Sequence, residues 1–213
     1  MLAALLLDLD GTLLDSEPLH MEAHRRFLAS VGIAIGDEEL LANIGKGDRE
    51  LYARLIARHG RDADPRDWIA AKTRLLVELA QAQGVPTRRG ARELLARARA
   101  RGIPCCLVTS AQAWVAAALL ASAGLERLLP QRVCREDVWR SKPHPDAYLL
   151  ACQRLGAPPA RCLAIEDSVP GVLAAQRAGC RTLAVASAQV APEALRAAGA
   201  LEVLADLCEA LAA

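Results

Sequence analysis

Aromatic residues are scarce in this chain: one Phe, two Tyr and three Trp, 3% of 213 residues. So few rings argue against the base-stacking surfaces on which single-stranded nucleic acids are held. Net charge is nearly absent as well, because 26 Lys and Arg against 25 Asp and Glu leave +1. That balance gives neither nucleic acid nor an anionic membrane an electrostatic reason to bind. The alternation of Arg97, Arg99 and Arg101 with Ala splays its charges around a helix and reads as a solvated helix end. Apolar runs stay short of the roughly 18 residues that a membrane-crossing helix needs. The first residues show no basic leader and no cleavage site, so the expected location is cytoplasmic. Seven cysteines (105, 106, 134, 152, 162, 180 and 208) form no C-x-x-C pair, and they read as buried reduced thiols, not as a zinc or redox site. Internal repeats and low-complexity tracts are missing too.

What is present is a globular composition, 53% hydrophobic and 24% charged, long enough for one domain with an insertion or for two small domains. Leu2 to Leu9 reads as a strand, its apolar run suiting a parallel sheet covered on both faces. From about Asp15 to about Pro86 the pattern turns helical, with amphipathic segments near 17–31, 37–43, 48–59 and 65–82 separated by Gly32, Gly45 and Gly60. Pro65 suits a first helical turn with Asp64 as N-cap. After Pro86 strand and helix alternate. A helix near 88–101 ends at Gly102, a strand runs from Pro104 to Val108, a helix spans about 111–123, and a short strand lies near 132–134. A helix near 145–155, a strand from Cys162 to Ile165, a helix at 169–178, a strand from Arg181 to Val185 and a terminal pair of short elements complete the chain. Such alternation implies right-handed crossovers and an α/β fold with a parallel sheet. The helical block interrupts it directly after the first strand and is a candidate lid. The expected division is therefore a core of 1–14 and 87–213 and a helical domain of 15–86.

Asp8-Leu9-Asp10-Gly11-Thr12 follows the first apolar run. Side chains at i and i+2 leave an extended segment on one side, so both carboxylates can face a site at the carboxyl end of the strand, where open α/β sheets bind ligands. Two acids this close disfavour joint ionisation unless a cation lies between them; Asp-Gly is also a common turn dipeptide. Val108-Thr109-Ser110 closes the next strand with a hydroxyl and the N–H groups of a helix start, which suit an oxyanion or phosphate or serve as a plain N-cap. Ser141-Lys142-Pro143-His144-Pro145-Asp146 holds a lysine in a loop stiffened by two prolines; the alternative is a solvated loop lysine. Glu166-Asp167-Ser168 ends a further strand with adjacent acids, or with a cap supplied by Asp167 or Ser168. Together these segments bring carboxylates, a hydroxyl and a cation to one sheet edge. Magnesium favours such carboxylate oxygens together with water and phosphate oxygen, and phosphoryl transfer uses that metal with a cationic clamp and an in-line nucleophile.

The order DLDGT (8–12), VTS (108–110), SKP (141–143) and AIEDS (164–168) resembles the haloacid dehalogenase superfamily. The helical insertion resembles the subfamily with an α-helical cap, which contains the β-phosphoglucomutase-like and phosphoglycolate-phosphatase-like enzymes. The resemblance implies a Rossmann-like three-layer core with a parallel sheet, plus a small all-α cap domain inserted after the first strand. It also implies roles. Asp8 would be the nucleophile that forms an aspartyl-phosphate. Asp10 would protonate the leaving alcohol and then activate water, with its backbone carbonyl reaching a Mg²⁺ cofactor. Thr109 and the amide of Ser110 would hold the transferring phosphoryl group, and Lys142 would neutralise the charge shared by Asp8 and phosphate. Asp8, Asp10, Asp167 and Glu166 would form the metal site. Dehalogenating members lack a second aspartate, so Asp10 argues against dehalogenation.

In the helical block, Ser16, Glu17 and His20 lie at the entry. His20 matches a histidine that couples cap closure to Asp10, or is a structural histidine at a helix start. Arg49 matches a cap arginine that contacts the distal phosphate of bisphosphorylated sugars, or belongs to a Glu–Arg surface pattern. Lys72 is a weaker candidate, and His24 and Trp68 read as packing or surface residues. The implied activity is a Mg²⁺-dependent phosphatase for a small phosphorylated metabolite. Its alternative is a sugar-phosphate mutase sharing every core residue, and Thr12 leans toward the phosphatase. A non-catalytic ligand-binding module would be expected to have lost Asp8 or Asp10, and both are intact. No protein partner is implied, and a monomer is the default.

Overall fold

A computed structural model of the chain describes residues 2–43 and 47–210; the helix separator expected at Gly45 lies outside the described residues. The chain divides into two units, Met1–Ser16 with Val85–Ala213 and Glu17–Gly84.

In the first unit, strands β1 (Ala4–Leu7), β2 (Cys105–Val108), β3 (Gln131–Val133), β4 (Cys162–Glu166), β5 (Arg181–Val185) and β6 (Val203–Leu204) form one sheet in the order β3-β2-β1-β4-β5-β6. Every pairing is parallel. All four residues of β1 and all five of β4 are buried, as strands covered on both faces must be. Alternation sorts them. Ala4 and Leu6 of β1, Cys106 and Val108 of β2, and Cys162 and Ala164 of β4 pack against Tyr148, Ala151 and Cys152 and against Ala174 and Ala175. The first three of those partners lie on α7 (Asp146–Leu155) and the last two on α8 (Val169–Arg177). The unit is α/β with a parallel sheet, as the alternation predicts, and Rossmann-like, as the resemblance implies. Register then fixes the chemistry, because Leu7 lies opposite both Leu107 and Ile165. One step further along, Asp8, Val108 and Glu166 arrive at the same level of the carboxyl edge.

The second unit holds α1 (Glu17–Ser30), α2 (Asp37–Leu41), α3 (Asp48–Arg58) and α4 (Pro65–Gln83). The Asp64 side chain accepts from the Arg66 amide and Pro65 occupies the first turn of α4, as the sequence predicts. Three of the six aromatic residues meet here. Phe27, Tyr52 and Trp68 stand edge to face with centroids 5.4–5.7 Å apart, a geometry worth about 0.5–1.5 kcal/mol per pair beyond area burial. Trp68 is therefore a core residue, and His24 joins it beneath the surface with Nδ1 2.8 Å from the Tyr52 hydroxyl.

Two helix starts differ from the sequence expectation. Helix α5 (Ala91–Ala100) begins at 91 instead of 88, because Gly90 takes a left-handed conformation and a Cβ there would lie 2.3 Å from the Cys208 amide. The docked carboxy-terminal segment claims those residues. Helix α6 (Ala113–Ser122) begins at 113 instead of 111, because the Ala111 amide donates to Thr109 Oγ1 and the Ala111 carbonyl accepts from the Arg135 amide. The remaining helix, α9 (Pro192–Ala197), precedes β6. Among the described residues no helix is long and apolar enough to cross a membrane.

Candidate active site

The site grows from the carboxyl ends of β1, β2 and β4. Asp8 and Glu166 continue the alternation of Leu6 and Ala164, so both carboxylates emerge on the α7–α8 side. The loop before α7 carries Lys142 between them. Its Nζ donates to Asp8 Oδ1 at 2.6 Å, to Glu166 Oε1 at 2.6 Å and to the Val108 carbonyl at 2.9 Å. All three ammonium protons are thereby used. The lysine side chain is 7% exposed and that of Glu166 0%, so this is a buried ion triad bridging three strands.

Asp167 turns to the other side of the edge, where its Oδ1 accepts from Thr12 Oγ1 at 3.2 Å. Gly11 permits that approach: its φ is +76°, and a Cβ there would lie 2.0 Å from Asp167 Oδ2. Carboxylate oxygens of Asp8, Glu166 and Asp167 lie within 4.8 Å of one another and form a candidate metal centre. Asp10 lies outside this trio, though its charge acts on Asp167. Strand β1 ends at Leu7, and the amides of Leu13 and Leu14 fold back onto the Leu9 carbonyl just before Asp10. Its Oδ1 instead accepts from the buried Ser16 hydroxyl at 2.6 Å.

Electrostatics follow from these positions. Burial above all, then Glu166 and Asp167, push the Asp8 carboxyl well above its usual range in spite of Lys142. Burial and the Glu166 charge push Asp167 up to about 7. Burial alone would lower Lys142, but Asp8 and Glu166 raise it above the ordinary lysine value. Three carboxylates thus share one ammonium, so full ionisation of the trio would leave two negative charges uncompensated. An all-oxygen donor set with a deficit of two charges fits a hard divalent cation.

Thr109 is buried, and it lines one recess together with Ser110, Ser141, Lys142 and Arg135. Two amides near the helix start have acceptors of their own. Glu136 accepts from the Ala113 amide at 3.0 Å, and Thr109 Oγ1 accepts from that of Ala111. That leaves Thr109 its hydroxyl proton to donate, and Ser110 is exposed.

The other candidates belong to the helical unit. His20 Nδ1 lies 2.9 Å from Lys72 Nζ, and that buried lysine also donates to Asp48 Oδ2 at 3.0 Å. Burial pushes the Asp48 carboxyl up, but the His24 hydrogen bond and the Lys72 charge outweigh it and hold Asp48 below the usual range. Lys72 is thus a fixed member of a buried network. Arg49 is exposed on α3.

Sequence reasoning missed two partners of Glu166. Tyr148 donates to Glu166 Oε1 at 2.6 Å. Ser168 donates to Oε2 at 3.2 Å while capping α8 through the Gly171 amide. The only available signal for Tyr148 was its rarity, as one of two tyrosines.

Comparison with known proteins agrees with this architecture. The haloacid dehalogenase-like hydrolase family matches residues 2–179. Hexitol phosphatase A of Escherichia coli is 40% identical over 183 residues, covering 84% of this chain and 81% of the relative. Fructose-1-phosphate phosphatase YqaB of the same organism is 31% identical over 179 residues, covering 83% and 93%. A crystal structure of CbbY from Rhodobacter sphaeroides in complex with xylulose-(1,5)bisphosphate superposes with a TM-score of 0.83 at 31% identity, covering 98% of this chain and 96% of that one. On sequence and fold together, the chain belongs to the haloacid dehalogenase-like hydrolases, in the branch of the phosphatases and β-phosphoglucomutase-like proteins.

Proposed function

We propose that this protein is a Mg²⁺-dependent phosphatase of a small phosphorylated metabolite, a sugar or sugar-alcohol phosphate, acting through an aspartyl-phosphate on Asp8. The observation that carries the reading is Lys142 held 2.6 Å from both Asp8 and Glu166 beside the acidic trio. The relatives named for hexitol phosphatase and fructose-1-phosphate phosphatase activity support the substrate class.

In this mechanism a carboxylate oxygen of Asp8 attacks phosphorus, and the bond from phosphorus to the alcohol oxygen breaks. Asp10 gives that oxygen its proton. Water, losing a proton to Asp10, then attacks phosphorus; the bond to Asp8 breaks and phosphate leaves. Lys142 compensates charge on Asp8 and on the phosphoryl oxygens, and Thr109 with Ser110 orients them. Asp8, Asp167 and Glu166, with the Asp10 carbonyl, would hold Mg²⁺, which supplies positive charge to the transferring group. The helical unit is the cap in this reading, and His20 and Arg49 are its candidates for recognising the rest of the substrate.

The test is phosphate release from hexitol phosphates, fructose 1-phosphate and short-chain phosphates, with Mg²⁺ and with EDTA. A coupled assay for glucose 6-phosphate made from β-glucose 1-phosphate runs alongside. Release from a sugar or hexitol phosphate that EDTA abolishes is the expected result; isomerisation without release, or silence in both assays, overturns it.

The raised Asp167 carboxyl gives a pH prediction. Without metal, the folded protein keeps a proton on Asp167 up to about pH 7, whereas an unfolded chain releases it near ~3.9. Stability of the metal-free protein therefore falls as pH rises from about 4 to about 7. Below pH 7 an incoming cation must also displace that proton, so apparent Mg²⁺ affinity climbs with pH through that range. Mg²⁺ titrations of the melting temperature at several pH values check this, and an affinity independent of pH contradicts it.

A further inference from the structure

Tyr148 is the third residue of α7, six positions after Lys142. It is fully buried, in a protein whose other tyrosine serves the core of the helical unit. Its side chain touches the acidic centre twice. Lys142 Nζ lies 5.3 Å from the ring centroid, a cation–π contact, and the hydroxyl donates to Glu166 Oε1 at 2.6 Å.

Glu166 is held on every side. Oε1 accepts from both Tyr148 and Lys142, and Oε2 accepts from Ser168. Behind the carboxyl packs Gly171, where a Cβ would lie 2.0 Å from Glu166. Rotation of this carboxylate is blocked, and Oε1 already has two donors. A cation at the trio therefore meets Glu166 through Oε2 or through water, never through both oxygens at once.

That restriction separates two common cations. Mg²⁺ takes near-ideal octahedral geometry with single oxygens and retained waters, whereas Ca²⁺ takes six to eight oxygens and readily accepts a bidentate carboxylate. We propose that Tyr148 is a positioning residue that sets the metal preference of this site: by supplying the second donor to Glu166 Oε1, beside Lys142, it denies bidentate coordination and favours Mg²⁺ over Ca²⁺. The inference rests on the reading of Asp8, Glu166 and Asp167 as a divalent-cation centre.

The experiment is calorimetric titration of the metal-free protein with MgCl₂ and, separately, with CaCl₂, for wild type and Tyr148→Phe. The variant keeps the ring and its contact with Lys142 and removes only the hydroxyl. Mg²⁺ affinity is expected to fall about tenfold, as for other groups that orient a metal-bound carboxylate, while Ca²⁺ affinity is unchanged or rises. A tyrosine that served packing alone would weaken both cations equally or neither, and either result overturns the proposal. Tyr148→Leu, which removes ring and hydroxyl together, provides the same ratio should the first variant fail to fold. Should wild type bind neither cation, the cation centre itself is wrong and the proposal goes with it. Equal ratios in a wild type and a variant that both bind overturn the tyrosine assignment alone.

Discussion

Asp8→Asn is expected to lose phosphate release by a factor on the order of 10⁴ or more, the scale seen when a covalent nucleophile is removed, without becoming less stable. Asparagine matches aspartate in shape, and its Oδ1 can still accept the Lys142 hydrogen bond now made at 2.6 Å. Its amide cannot attack phosphorus. Burial and the neighbouring acids push the Asp8 carboxyl well above its usual range, so ionised Asp8 is a liability in the metal-free fold. A neutral side chain relieves that repulsion, and Lys142 keeps Glu166 as its counter-charge. The melting temperature in EDTA should therefore equal or exceed that of wild type. Phosphate release and thermal unfolding, measured on one preparation, separate chemistry from folding. Retained turnover would remove Asp8 as nucleophile. A large drop in melting temperature would mean that the carboxylate is needed for the fold.

Lys142→Met should have the opposite signature, losing both stability and activity. The ammonium lies between a carboxylate whose side chain is 11% exposed and another that is 0% exposed. Methionine fills similar space but leaves these two acids facing each other with no cation. Removing one partner of a buried charge pair costs roughly 3–5 kcal/mol, and protonation of one acid softens the loss. Urea denaturation in EDTA reads it out. Added Mg²⁺ should restore more stability to the variant than it adds to wild type, because the cation then supplies the only positive charge at the trio. Turnover at saturating metal should fall by about 10²–10³, in line with loss of one preorganised charge from a phosphoryl site. Unchanged stability together with unchanged turnover would show that the triad contributes neither electrostatic support nor catalysis.

These effects are large because residues distant in sequence were brought to one point, and that convergence was only partly legible beforehand. The apolar runs of β1 and β4 announced a buried parallel sheet. A parallel sheet in turn implies that acids just past such runs lie at one edge. Lys142 could be placed in the loop covering that edge, yet its distance from Asp8 could not be read across 134 residues. The helix starts near 88 and 111 were misplaced for a related reason. Local pattern marks where a helix can run, but at Gly90 a close-packed backbone and at Ala111 a side-chain hydrogen bond stop it from starting sooner.

By itself, the sequence determined the order of elements, the helical block that follows the first strand, and the four motifs at strand ends. Each depends on hydrophobic period and on residue type, which are local properties. Only the tertiary structure decided the partners: Ser16 for Asp10, Thr12 for Asp167, and Tyr148 for Glu166 across 18 residues. Hydrogen bonds of that kind depend on strand register and on which face of a helix meets the sheet. Both are set by packing the whole core at once, so no short stretch of chain contains them.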